Sequence, residues 1–267
     1  MNRFIQRWAV FAGLVVVWEL LTWLADDTFF PRPTEIATAA QALWLSGPVE
    51  DLFLSDSVFE HVLPSVGRLL GGWAIASVIG VALGVALGRS SAAMQFAGPL
   101  LTFMRSIPPP TLVPVFLLLF SGGTQMQIAT IVFGVLWPIL LNSVDGARSV
   151  DATKFETSAV FRIPRHQWVL GVVLPAASPK IFAGLRVSLS LALVLMVVSE
   201  LVGTDNGIGS QLLLAQRSFE FPDMWAGIIL LGILGYAFNT VLLAFEHRAL
   251  AWQPRQERTP ATVEEKA

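Results

Sequence analysis

No cysteine occurs in the 267-residue chain, which excludes disulfides, cysteine-held iron–sulfur clusters and thiol catalysis. Charged residues are also scarce, at 13% against the roughly 25% of a soluble domain. The net charge of −2 leaves no electrostatic footprint for a nucleic-acid partner. His61, His166 and His247 are scattered along the chain, so a histidine metal site is not expected. Lys154, Lys180 and Lys266 never follow a glycine, and the Gly-Lys-[Ser/Thr] of a phosphate-cradling loop is missing. The H-E-x-x-H and G-x-S-x-G hydrolase patterns are missing too. No catalytic residue, metal ligand or cofactor of its own is therefore expected, and the chain does not read as an enzyme.

Apolar residues are what the chain has in surplus: 54% of the total, with a mean hydropathy of +0.66. They gather into blocks near 8–25, 66–88, 96–120, 125–143, 180–202 and 224–245. A helix needs about 20 apolar residues to cross a bilayer. A membrane β-barrel would alternate apolar and polar positions, and stretches such as Trp73–Leu87 do not. The expected fold is an all-α integral membrane protein with about six transmembrane helices, forming one domain over 1–252. A polar tail at 253–267, carrying Pro254 and Pro260, is expected to be disordered. Arg3 and Arg7 precede the first block as in a signal peptide, but Ala25-Asp26-Asp27 offers no A-x-A cleavage site, so the block reads as a retained span. The second block carries Gly67-xxx-Gly71, Gly80-xxx-Gly84 and Gly84-xxx-Gly88, spacings that let helix backbones approach closely.

Loop charge sets the orientation. The 26–60 segment holds Asp26, Asp27, Glu35, Glu50, Asp51, Asp56 and Glu60 against Arg32, and is assigned to the outside. The 144–180 segment holds Arg148, Lys154, Arg162, Arg165 and Lys180, and is assigned to the cytoplasm together with Arg89 and both termini. A short outer helix is expected from Thr34 to Leu45, with Thr34 as its N-cap. The third block is interrupted by Pro108-Pro109-Pro110, which a membrane tolerates where freed carbonyls face protein or a watery path.

The long inner loop, between spans four and five, is the most informative stretch. Thr153-Lys154-Phe155-Glu156 fits a capping box opening a short helix from Lys154 to about Phe161, stopped by Pro164. A second amphipathic stretch, Arg165 to Leu174, presents Trp168, Val169, Val172 and Val173 and is expected to end at Pro175. Two short helices joined by a tight turn make a knob that buries little by itself and suits docking. Here the sequence resembles the permeases of binding-protein-dependent ABC transporters, whose inner-loop signature is E-A-A, three residues, Gly, nine residues, I-x-L-P. Glu156-Thr157-Ser158 holds the first position and Val172-Val173-Leu174-Pro175 the last. Phe30-Pro31-Arg32-Pro33-Thr34, His61, Ser65, Arg68, Arg105-Ser106-Ile107-Pro108, Trp137-Pro138-Ile139, Glu200 and Gly207-Ile208-Gly209 also have counterparts, so the likeness runs over roughly 30–252. It is strongest toward permeases for nitrate, taurine, alkanesulfonates, and vitamin pyrimidines or flavins. Two glycines of the pattern are replaced, by Arg162 in the signature and by Ser121 after Phe120. The turn at Arg162 is then expected to be made by Ile163-Pro164.

The resemblance implies a type I importer permease: two permease copies, simplest as a homodimer, line a path through the lipid bilayer. An ABC ATPase dimer binds ATP beneath, and a periplasmic or lipid-anchored binding protein delivers the solute. It further implies that Phe155, Glu156, Ser158, Phe161, Arg162, Leu174 and Pro175 form the ATPase-coupling loop. Arg105, Pro108, Pro109, Arg186 and Glu200 are pathway or gating candidates. Ionisable groups at a span's centre cost about 2.5–3.5 kcal/mol, so these call for partners, a polar cavity or snorkelling to an interface. A secondary transporter is the alternative, but no mid-span Asp and no second copy of the inner loop is present.

Overall fold

The computed structural model describes residues 2–25, 27–203 and 205–252, with side chains for all of these except 2–7, 152, 155 and 203. The expected tail at 253–267 lies outside the described residues. Every regular element among them is a helix: α1 (Asn2–Ala25), α2 (Pro33–Trp44), α3 (Leu63–Gly88), α4 (Ser91–Arg105), α5 (Val113–Phe120), α6 (Thr124–Arg148), α7 (Ala152–Val160), α8 (Arg165–Trp168), α9 (Leu174–Gly203), α10 (Ile208–Arg217) and α11 (Phe221–Ala249). Five stretches are long and apolar enough to cross a membrane: Trp8–Ala25, Val58–Gly88, Thr124–Arg148, Arg165–Val202 and Phe221–Ala249. The pair Ser91–Arg105 and Pro109–Phe120 passes the same test together, bent by 80° at the proline run. The expected third span is thus a broken one. Pro109 lies against α6, where a β-carbon on Gly134 would come within 3.1 Å of its ring. Thr111 returns both its N–H (3.0 Å) and its hydroxyl (2.7 Å) to the Pro108 carbonyl, closing a hydrogen-bonded turn at the break.

The core is a bundle of α3, α6 and α9. Leu69, Ala76, Ile131, Val135, Ile139, Ala192, Leu195 and Met196 fill it. The small-residue spacing of the second block explains how α3 and α6 approach. A β-carbon on Gly84 would lie 2.5 Å from Ser143 Cβ and 2.6 Å from the Leu140 carbonyl, and one on Gly88 2.7 Å from the Val144 carbonyl. Gly67 and Gly71 meet nothing within 4 Å, so their spacing is not a packing site in this chain. By contrast α1 buries 6% of its apolar window and presents Trp8, Phe11, Leu14 and Leu21 outward, as a helix that faces lipid does.

Two expectations about local structure are corrected. Arg165 to Leu174 is not a separate helix ending at Pro175: α8 passes through a π turn (Val169–Val173) straight into α9. The same arrangement occurs before α3, where a π turn at Val58–Val62 precedes Leu63-Pro64. A proline ring presses on the carbonyl four residues back, and a π turn widens the helix there, so Pro64 and Pro175 are absorbed without a break. Thr34 is not an N-cap either. α2 starts one residue earlier at Pro33, and Glu35 accepts from the Arg32 N–H at 3.0 Å. The Thr34 hydroxyl instead donates to Glu19 of α1 at 2.8 Å.

Candidate functional site

At one end of the bundle, α7 and α8 form the knob. Asp151, not Thr153, caps α7: its carboxylate accepts from the Thr153 N–H at 3.0 Å, while the Thr153 carbonyl accepts from Thr157. Any Asx-type side chain ahead of a helix competes for this position, and Asp151 lies two residues earlier in the chain than the Thr-x-x-Glu pattern suggested. The turn that follows is not made by Ile163-Pro164. Arg162 itself takes the left-handed conformation, with φ of 50°. The Arg162 N–H donates to the Ala159 carbonyl at 3.2 Å and the Ile163 N–H to the Ser158 carbonyl at 3.0 Å. This is the Schellman pairing that ordinarily carries glycine. Arg162 stands where the pattern has glycine, and it takes the left-handed angle that glycine favours.

The residues expected in this loop fall into two groups. Glu156, Phe161 and Arg162 are exposed, with Phe161 at 74% beside Val160 at 78%. Ser158 is buried and Leu174 and Pro175 are half-buried, so they hold the knob onto the spans. The side chain of Phe155 lies outside the described residues. What fastens the knob is Trp168, buried with Val85, Ala147, Val173, Ala177 and Ile181. The Arg89 guanidinium lies 5.9 Å from its ring centre and donates to the Ala147 carbonyl at 3.4 Å. Sequence reasoning placed Trp168 on an amphipathic face but missed it as the anchor, because its partners come from α3, α6 and α9.

At the opposite end lies a buried ion pair. Glu200 of α9 is 1% exposed, and Oε1 accepts from Arg68 Nη1 at 3.1 Å and from the Ser65 hydroxyl at 2.6 Å, both on α3. Its other oxygen accepts from the Gly209 N–H at 2.9 Å. Arg68 continues to Asn206, reaching the main-chain carbonyl at 3.1 Å and the side-chain Oδ1 at 2.6 Å. The Ile208 N–H donates to Ser65 at 2.9 Å and the Gly207 N–H to His61 Nδ1 at 3.1 Å. The network therefore ties the start of α10 to α3 and α9. Gly207, with φ of 130°, is required here: any β-carbon would fall 2.4 Å from the Glu200 carboxyl carbon. Snorkelling is thus ruled out for Glu200. Arg186 is also paired, with Glu246 of α11, and is not a free cation facing a path. Arg105 and Pro108 are exposed on the broken span, and Pro109 is half-buried against α6. The structure therefore keeps the coupling candidates together, and separates Arg105, Arg186 and Glu200 into three unrelated settings. No group of acidic or histidine side chains suited to a metal occurs among the described residues.

Comparison with known proteins follows the same lines. A family described as binding-protein-dependent transport system inner membrane component matches residues 76–249. The putative aliphatic sulfonates transport permease protein SsuC of Bacillus subtilis (strain 168) is 29% identical over 248 residues, covering 92% of this chain and 87% of that one. The nitrate import permease protein NrtB of Synechocystis sp. is 26% identical, covering 88% and 85%. Among solved structures, the inward-facing MetNI methionine ABC transporter aligns with a TM-score of 0.63 over 71% of this chain and 94% of that chain, at 19% identity, which speaks to the fold. The matched span takes in the second half of α3, all of α6 and α9, the knob and the Glu200 end of the ion pair, and on that match the chain belongs to the family of inner-membrane permease components of binding-protein-dependent ABC transporters.

Proposed function

We propose that this permease carries a small oxyanion, of the sulfonate or nitrate kind, inward through the interface between two copies of the chain. The permeases SsuC and NrtB, named for such solutes, match along nearly the whole chain. The vitamin heterocycles entertained from the sequence find no support in those relatives. Two ATPase subunits bind ATP beneath the knob, a binding protein delivers the solute outside, and both termini lie in the cytoplasm.

One observation carries the coupling role. The Asp151 cap and the Schellman turn hold an ordered tip whose apolar side chains, Val160 and Phe161, face outward beside Arg162 and Arg165. An isolated nine-residue helix is marginal in water. The cap, the turn and the Trp168 anchor hold it in place. Apolar anchors of this size commonly dominate interface energetics. Glu156, Phe161 and Arg162 then contact the ATPase, while Ser158, Leu174 and Pro175 pass its movement into α9. Arg105, Pro108 and Pro109 act at the gate rather than in binding the solute.

Competition uptake tests the solute class. Proteoliposomes holding the permease, its ATPase and its binding protein should take up a labelled alkanesulfonate, taurine or nitrate in an ATP-dependent way. Uptake of a labelled flavin or pyrimidine, with no competition from those anions, would refute the oxyanion assignment.

A further inference from the structure

Two cavities beside α1 open into one another, one apolar and one charged. The first, about 400 Å³, runs along α1 past Leu14, Val17, Trp18 and Leu21. The second, about 330 Å³, is lined by Thr28, Arg32, Glu35 and Pro222. Thr22, Asp27 and Phe30 border both, so the groove leads straight into the charged pocket. Hydrogen bonds hold the pocket walls in place. Asp27 Oδ1 accepts from the Phe29 N–H at 2.8 Å, and Glu35 Oε2 accepts from the Arg32 N–H at 3.0 Å. The Trp225 indole donates to the Phe29 carbonyl at 3.0 Å, and its ring meets Trp18 edge-on, centres 5.5 Å apart. From Leu14 to Ala25 the groove follows about 16 Å of helix axis at 1.5 Å per residue. One leaflet of a hydrocarbon core about 30 Å thick is about 15 Å deep.

We infer that the joined cavities are a phospholipid site, selective for a headgroup that carries a phosphate and a primary ammonium. An acyl chain lies in the groove, whose length matches a single leaflet. The phosphate is met by the Arg32 guanidinium, whose forked donors suit its oxygens. The ammonium is met by Asp27 and Glu35, each of which has a second carboxylate oxygen beyond the one that holds the backbone. Charge selects the headgroup. Two carboxylates against one guanidinium disfavour a lipid whose only charge is its phosphate. A trimethylammonium group brings no N–H for the carboxylates to accept. The outward assignment of the 26–60 segment places the site in the outer leaflet. A helix from a second copy would need an apolar track along the whole span, whereas this groove starts near mid-bilayer and opens into charge.

The test is native mass spectrometry of the full chain in detergent, titrated with dioleoyl phosphatidylethanolamine, phosphatidylcholine or phosphatidylglycerol. The parent should bind the ethanolamine lipid about tenfold more tightly than the other two, the worth of one hydrogen bond to a charged group. Asp27→Asn combined with Glu35→Gln should erase that preference. The amide oxygens still accept from the Phe29 and Arg32 N–H groups, so the local fold is kept. Arg32→Gln should weaken all three lipids about tenfold. Val17→Trp fills the groove and should weaken the dioleoyl lipids, while dihexanoyl phosphatidylethanolamine, held through its headgroup, binds as to the parent. Parent affinities within about twofold across the three headgroups would overturn the inference. So would an ethanolamine preference that survives in the double variant. Variants that change cross-linking between copies and leave lipid affinity unaltered would also overturn it, by assigning the groove to a second copy.

Discussion

Substituting Glu200 and Arg68 singly and together measures what the buried ion pair contributes. Glu200→Leu leaves the Arg68 guanidinium, 5% exposed, with Asn206 and Thr124 as its remaining partners. It also strips the Ser65 hydroxyl and the Gly209 N–H of their acceptor. Arg68→Met leaves the Glu200 carboxylate buried without its cation. Breaking one side of a buried pair costs about 3–5 kcal/mol, whereas replacing both sides by apolar groups of similar volume is often close to neutral. The double variant still takes the acceptor away from the Gly209 N–H and the Ser65 hydroxyl, at about 1 kcal/mol each. It should therefore be destabilised by about 2 kcal/mol, well short of the sum of the single effects. Equilibrium unfolding in mixed micelles, followed by the fluorescence of the nine tryptophans, reports the cycle. Additivity within about 0.5 kcal/mol would show that the two side chains are not coupled, and the latch joining α10 to α3 would have to be abandoned.

Other expectations follow from single positions. Arg162→Gly relieves the left-handed strain and should stabilise the knob by about 1 kcal/mol, read as slower amide exchange across Ala152–Val160; unchanged or faster exchange would count against the turn geometry. Asp151→Ala should have the opposite effect by a similar amount, typically about 1 kcal/mol for a lost cap. Gly84→Ala forces α3 off α6 and should cost about 1–3 kcal/mol, while Gly67→Ala, with open space around it, should be near neutral in the same unfolding assay. A reporter active only in the periplasm should work when inserted near Asp51 or Arg217 and fail near Arg148; activity at Arg148 would invert the topology.

The span positions were legible because apolar runs of this length have few alternatives to crossing a bilayer, and the family likeness was carried by motifs from Phe30 onward. The details that escaped were those in which tertiary structure overrules a local rule. Pro175 marks a helix end in most local readings, yet the π turn before it lets α8 and α9 run on. Arg162 and Ser121 occupy positions where the family pattern has glycine, and both take the left-handed angle, φ of 50° and 54°. A local rule assigns that angle to glycine, so a residue with a β-carbon hides it. The partner of Glu200 was hidden for a different reason. Arg68 sits 132 positions away in the chain, and no periodicity in the sequence connects them. The charge in the apolar block did signal that a partner was needed, but not which one.

The central claim is that the Asp151–Val173 knob transmits ATP hydrolysis to transport, and one reconstitution tests it most directly. Permease carrying Phe161→Ala or Glu156→Ala would be compared with the parent in proteoliposomes containing the ATPase and the binding protein. ATPase retention and solute uptake should fall together in both variants, while membrane insertion and the unfolding midpoint of the spans stay at parental values. Full uptake with full ATPase retention in both would contradict the account, because the exposed tip would then be dispensable for coupling.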